Sequence, residues 1–319
     1  MGEGGNVLYG ERFMSTKIIL DCDPGIDDAL AIAFAHGHPG IELTGITTVA
    51  GNVGLPKTTR NALAVADFVG AAAVPVTAGC AVPLLRPARD ARHVHGDTGL
   101  GGAVIPDSAR VPLDGHAVDF IIDTVCRAPG EITLVATGPL TNIALAVRKE
   151  PQLTRCVREF VIMGGSAGRG NVTPAAEYNI WADPEAASVV FGAGWTVRMI
   201  GLDVTLQALA TAPIRERMAT LGPLGSALLL PALAQYHDNP DPAVHDVCAV
   251  ASVATPGVFG YTPARVQVET TGQLTSGMTV TDFSASAPPN ASVATSIDAG
   301  RFWDVVLDAY AKVAATLDR

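Results

Sequence analysis

KIILDCDPGIDDALAI, residues Lys17–Ile32, is the stretch from which the fold can be read. Lys17–Leu20 is a short apolar run, and Pro24-Gly25 turns the chain. From Ile26 to His36 apolar residues recur at helical spacing, so the segment predicts strand, tight turn, helix. Asp21 and Asp23 alternate off the strand end, while Asp27 and Asp28 fall in the first helical turn. A helix N-terminus favours a carboxylate by about 0.3–1 kcal/mol. Two carboxylates 4 Å apart repel by about 4 kcal/mol at an effective dielectric near 20. The dipole alone therefore cannot hold four acids together. They are protonated, or solvated, or gathered around a divalent cation, and all-oxygen donors without His or Cys favour calcium or magnesium over zinc.

Working outward, the same alternation continues. Glu42–Val49 predicts a strand and Leu55–Val69 a helix, then Ile132–Ala136 a strand and Leu140–Lys149 a helix. Phe160–Met163 and Val197–Ile200 are further short apolar runs. Continuous apolar strands are buried on both faces, the habit of parallel sheets joined by right-handed helical crossovers. Thr211–Thr255 reads as mainly helical, and Arg265–Glu269 with Thr279–Asp282 as a late strand pair. The expectation is one α/β domain, residues 17–319: a mostly parallel open sheet flanked by helices, with a C-terminal helical insertion. Residues 1–16 read as a loose leader without a secretory signal, and Met14 is a candidate start. In such sheets ligands bind beyond the carboxyl ends of the strands, where the distinctive polar residues of this chain lie.

Composition narrows the function. The 319 residues are 48% hydrophobic and 16% charged, with a formal charge of −10. No Lys/Arg cluster tracks a phosphate backbone, which argues against nucleic acid. The long uncharged stretches Phe68–Leu85 and Met218–His237 are interrupted by Gly or Pro and read as buried turns and helices rather than membrane spans. Five scattered cysteines without a C-x-x-C pair point to a reducing cytoplasm.

Two rival motifs are present. Asp21-Cys22-Asp23 has the D-x-D form of aspartyl-phosphate phosphatases, but Gly25 stands where that pattern carries Thr or Val. Gly164–Gly168 satisfies G-x-S-x-G, yet Arg169–Pro174 follows instead of the helix that a serine elbow requires. A non-catalytic nucleoside or ribose binder is the third alternative.

Six segments in order complete the reading: DCDPGIDDALAI, TTVAGN (Thr47–Asn52), LVATGPLTNIALA (Leu134–Ala146), VIMGGS (Val161–Ser166), AEYNIWADPEAA (Ala176–Ala187) and HDVCAV (His245–Val250). Together they resemble the calcium-dependent nucleoside hydrolases over about Lys17–Tyr310. VHGDTGL (Val94–Leu100) and SAGRGN (Ser166–Asn171) are most similar to the bacterial hydrolases of broad base specificity.

The resemblance implies hydrolysis of the N-glycosidic bond of ribonucleosides to free base and ribose, in purine and pyrimidine salvage, by direct attack of a Ca²⁺-bound water. It implies that Asp23, Asp28, Asp246 and the Thr137 carbonyl hold Ca²⁺, with Asp23 also the general base. Asp27, Asn52, Asn171, Glu177 and Asn179 are implied sugar ligands, Met163 packs on the sugar, and Asp21 supports the site. His245 is implied in base departure, with His95 a second catalytic candidate on a Gly-flanked loop expected to be mobile. Tyr236 and His237 are further base-pocket candidates. The resemblance also implies a homo-oligomer, a tetramer or a dimer. Departures from the pattern are Val247 for the common proline and Cys22 for the common threonine, whose side chain is expected to point away from the metal. Cys248 is expected to pack, and His36, His38 and His116 receive no role.

Overall fold

The computed structural model describes residues 15–237, 239–255 and 257–317. The leader expected at residues 1–16 falls largely outside them, and Thr16 already opens the first strand. Nine strands form one sheet: β1 (Thr16–Cys22), β2 (Ile41–Thr48), β3 (Val76–Ala78), β4 (Ile132–Ala136), β5 (Glu159–Met163), β6 (Val197–Ile200), β7 (Phe259–Val268), β8 (Thr279–Asp282) and β9 (Ala291–Ile297). Their spatial order is β3-β2-β1-β4-β5-β6-β9-β7-β8. All pairs up to β6–β9 are parallel, and β7 runs antiparallel to both β9 and β8. The late strand pair is present, with Arg265 opposite Asp282, but β7 begins at Phe259 and β9 inserts between it and the parallel strands.

Helices cover both faces because β1, β4, β5 and β6 are apolar on both. Alternation along β1 sends Ile18, Leu20 and Cys22 into one core and Ile19 into the other. On the first face the helix Ile26–Gly37 is buried from Ile26 to Ala35. Its alanines let the helices Asp246–Ala254 and Ala299–Leu317 pack close against it. On the second face lie Ala117–Arg127, Thr141–Lys149 and Pro184–Phe191. The insertion holds the helix Ala212–Ala219, a π-type turn Leu224–Leu229 running into Leu230–Leu233, and then irregular chain up to Asp246.

One consequence of this order positions the site. The chain winds outward from β1 to β3 in one direction and from β4 to β6 in the other, so the order reverses between β1 and β4. At such a switch point the loops leaving adjacent strands diverge and open a crevice. Asp23 follows β1 and Thr137 follows β4, and the two residues flank that point.

Candidate active site

The floor of the crevice is acidic and buried. Asp21, Asp23 and Asp28 have no exposed surface, and Asp27 and Asp246 have 6% and 5%. Backbone geometry sets each in place. Pro24-Gly25 ends β1, and the Gly25 amide donates to Asp28 Oδ2 at 3.0 Å, closing the first turn of the helix. Asp28 also accepts from Asn52 Nδ2 at 3.2 Å and, through Oδ1, from Thr137 Oγ1 at 2.9 Å. Asp23 Oδ2 accepts from the Asn52 amide at 2.6 Å, whereas its Oδ1 is buried without a partner. Gly51 makes this approach possible, since a Cβ there would lie 2.0 Å from Asp23 Oδ2.

Asp21 is held differently. Its Oδ1 accepts from Thr47 Oγ1 at 2.6 Å and from Asn142 Nδ2 at 2.8 Å, behind the crevice. That placement removes it as a phosphatase nucleophile and fits a supporting role. Cys22 points the other way, as expected, and its thiol donates to the Thr47 carbonyl.

Burial dominates the electrostatics. It pushes Asp21 up to about 7, Asp27 up to about 7 despite the Tyr236 hydroxyl, and Asp28 up to about 6 despite its amide and hydroxyl donors. Asp23 and Asp246 are raised well above the usual carboxylate range, by burial first and then by the charge of Asp28. Asp246 also feels Asp27, Asp23 and Glu177, so acids from three separate segments converge on one small volume. Among the described residues no Lys or Arg lines the cavity above them. Among the described residues no three His, Cys, Asp or Glu side chains form a closed cage. The orphaned Asp23 Oδ1, the uncompensated negative charge and the hard oxygen donors nevertheless fit a divalent cation.

Above this floor lies a cavity of about 240 Å³. One side is built for hydroxyls. Glu177 caps the helix Tyr178–Ala182 through the Asn179 and Ile180 amides and takes the Gly165 amide at 2.9 Å. Burial pushes its carboxyl up to about 7. Asn179 Nδ2 donates to the Thr137 carbonyl at 2.7 Å and to the Met163 carbonyl at 3.1 Å. Asp27, Asn52, Met163 and Asn171 complete this side, Asn171 at the exposed rim with Oδ1 on the Tyr178 amide at 3.0 Å.

The other side carries His93, Val94, His95, Tyr236 and His245. Tyr236 donates its hydroxyl to Asp27 Oδ2 at 3.1 Å, tying the helical insertion to the floor. His245 Nδ1 is 2.8 Å from Thr205 Oγ1. His95 Nδ1 accepts from the Ile26 amide at 3.1 Å. Burial pushes both imidazoles down to about 4.

The candidate residues therefore gather as a group, with Asp23 and Asp28 one layer beneath the cavity lining. His237 does not join them; it lines a separate surface depression beside Pro240 and Pro242. The loop carrying His95 is tied to its surroundings by hydrogen bonds: Asn61 Nδ2 donates to the Pro24 and Thr98 carbonyls, and the Ala91 amide donates to the Asn52 carbonyl. Ser166 precedes irregular chain up to the helix at Tyr178, so no serine elbow exists. Cys248 is buried and donates to the Val244 carbonyl. His116 caps the helix Ala117–Arg127 and His38 accepts from the Gly40 amide. Sequence reasoning missed His93, Val94, Tyr178 and Thr205. His93 directly precedes the VHGDTGL segment and Val94 opens it, which was the available signal, and Tyr178 stands inside the AEYNIWADPEAA motif.

A switch-point crevice with a carboxylate floor, a side rich in carboxylates and amides and a side rich in histidines is the arrangement of an α/β enzyme acting on small polar substrates. The chain belongs to the inosine-uridine preferring nucleoside hydrolase family, whose model matches residues 18–304. It is 49% identical over 311 residues to the inosine-uridine preferring nucleoside hydrolase of Leishmania major, covering 94% of this chain and 99% of that one. It is 46% identical over 305 residues to the non-specific ribonucleoside hydrolase RihC of Escherichia coli, covering 93% and 99%. Among solved structures, the purine-preferring ribonucleoside hydrolase of Gardnerella vaginalis superposes with a TM-score of 0.88 at 36% identity, covering 94% and 100%.

Proposed function

We propose that this protein hydrolyses the N-glycosidic bond of ribonucleosides, purine and pyrimidine alike, to free base and ribose, with Ca²⁺ as its metal. One observation carries the reading: buried acids from distant segments meet beneath a cavity whose one side offers carboxylates and amides and whose other offers neutral histidines. Asp23, Asp28, Asp246 and the Thr137 carbonyl would hold the cation. When bound, Ca²⁺ supplies Lewis acidity and a grip on vicinal sugar hydroxyls, with room for more oxygen ligands than Mg²⁺ accepts.

The chain's own residues do the rest. Breaking a C1′–N bond builds positive charge on the sugar ring. Asp27, Glu177, Asn52, Asn171 and Asn179 bind the hydroxyls and place negative charge and dipoles beside the developing cation. Met163 packs against the ring. Asp23 accepts the proton of the attacking water. Direct attack inverts C1′ and passes through no covalent enzyme intermediate. His245 assists the departing base through Nε2, with its Nδ1 engaged by Thr205. His95 and Tyr236 complete the base side.

Free thiols at Cys22, Cys80, Cys126, Cys156 and Cys248 support a reducing cytoplasmic location and a role in nucleoside salvage. Assembly into a homodimer or homotetramer rests on the resemblance alone. No described helix is long and apolar enough to cross a membrane. The test incubates the protein with inosine, uridine and cytidine and measures reducing sugar, before and after chelation. Ribose release that is lost on chelation and restored by Ca²⁺ is expected. No ribose from any nucleoside, with metal demonstrably bound, overturns the reading.

A further inference from the structure

We infer that His95 is a fixed hydrogen-bond donor reading an acceptor shared by all natural nucleobases, and that it shuttles no proton. The inference deepens the reading above and rests on it for the identity of the ligand. Its basis is a bond with only one polarity. A backbone N–H can only donate, so the Ile26 amide, 3.1 Å from His95 Nδ1, requires a lone pair on that nitrogen. The neutral ring must then carry its hydrogen on Nε2.

Protonating Nδ1 would break this bond and set a positive charge against the N-terminus of the helix Ile26–Gly37, where the dipole is also positive. Burial pushes in the same direction, down to about 4, and any positive charge gained by His245 or His93 would add to it. The ring cannot easily turn away. His95 is 7% exposed and its loop is tied by the Asn61 and Ala91 bonds, while Lys57 Nζ holds the Asp97 carbonyl at 2.5 Å. Gly25 leaves room for the docked ring, since a Cβ there would lie 2.6 Å from both His95 Nδ1 and Asn52 Nδ2.

His245 differs on this point. Its Nδ1 faces a hydroxyl that can donate or accept, so either tautomer is available to it. Proton transfer accordingly falls to His245 and recognition to His95. A donor without acceptor capacity distinguishes no base from another where all share one feature. Beside the glycosidic nitrogen, purines present N3 and pyrimidines O2, both acceptors. A fixed Nε2–H therefore accounts for broad base acceptance.

Two measurements test this. In ¹⁵N-histidine-labelled wild-type protein at pH 7, the His95 signals, assigned by their loss in His95→Leu, should show the Nε2–H tautomer. An Nδ1–H tautomer or an imidazolium overturns the inference, whether or not the enzyme turns over nucleosides. In kinetics, His95→Gln, which keeps a donor but cannot relay a proton, should retain kcat/KM within about fivefold. His95→Leu should lose about tenfold or more, equally on inosine, uridine and cytidine. Equal damage in the Gln and Leu variants, or a loss confined to one base, overturns it. Absence of ribose release by the wild type would defeat the proposed activity while leaving the tautomer to be read.

Discussion

The acid floor and the histidine side of the cavity are built by opposite means. The floor draws Asp21, Asp23, Asp27 and Asp28 from one strand–turn–helix unit, and Asn52 and Thr137 from the next strand ends. Burial and mutual repulsion raise its carboxyls, and the proposed cation would favour their charged forms. The histidine side comes from loops and the helical insertion, and burial keeps its imidazoles neutral. On the proposed reading, negative charge lies where the sugar would become positive, and neutral donors lie where the base would leave. The contrast makes unequal predictions for the two sides.

The largest effect belongs to the floor. Asp23→Asn keeps the volume and an acceptor for the Asn52 amide but removes the charge and the proton acceptor. A fall in kcat of about 10³-fold or more is expected, on nucleosides and on a nitrophenyl riboside equally. A loss under tenfold would break the division between the two sides.

Chelation sharpens it next. The carboxyls of Asp21, Asp27 and Glu177 are raised to about 7, and that of Asp28 to about 6, above their unfolded values. In the metal-free protein the folded state binds more protons than the unfolded chain between about pH 4 and 7, so stability falls as pH rises through that window. The Tm of chelated protein should drop from pH 5 to 8. Saturating Ca²⁺ should flatten or reverse that slope. A chelated protein whose Tm rises across this range would show that the floor is not a strained set of acids.

His245→Ala comes third. About a 10²-fold loss of kcat on natural nucleosides is expected, with under threefold on the nitrophenyl riboside, whose leaving group needs no proton. Equal losses on both substrates would move His245 from the base side to the shared machinery.

The two sides also differed in how far they could be read beforehand. DCDPGIDD announces the floor because its acids are close in sequence and their crowding is costly wherever the chain goes. The core strands were legible for a similar local reason: each is a short apolar run ending in turn residues. β9 was not, because ASVATSI is small and polar enough to read as loop, and only its place between β6 and β7 makes it a strand. The three residues of β3 carry too little pattern to register. The helices Ala117–Arg127, Pro184–Phe191 and Ala299–Leu317 also escaped the reading, although each buries an apolar face. On the histidine side the gaps are tertiary. Thr205 stands 40 residues from His245, and His95 meets Ile26 across 69, so neither pairing leaves a local trace.

Thr205 supplies the smallest test of the contrast. It is fully buried, and among the described residues the only side-chain hydrogen bond of its hydroxyl is to His245 Nδ1. Thr205→Val preserves the shape and deletes that bond, leaving the imidazole to find its own tautomer and orientation. A bond of this kind contributes about 1 kcal/mol, so a three- to tenfold fall in kcat on nucleosides is expected with KM little changed. Thr205→Ser should restore most of it. The nitrophenyl riboside should be hydrolysed at the wild-type rate, because its departure does not call on His245. If Thr205→Val slows that substrate as much as inosine, Thr205 supports the fold of the insertion and not the orientation of the imidazole.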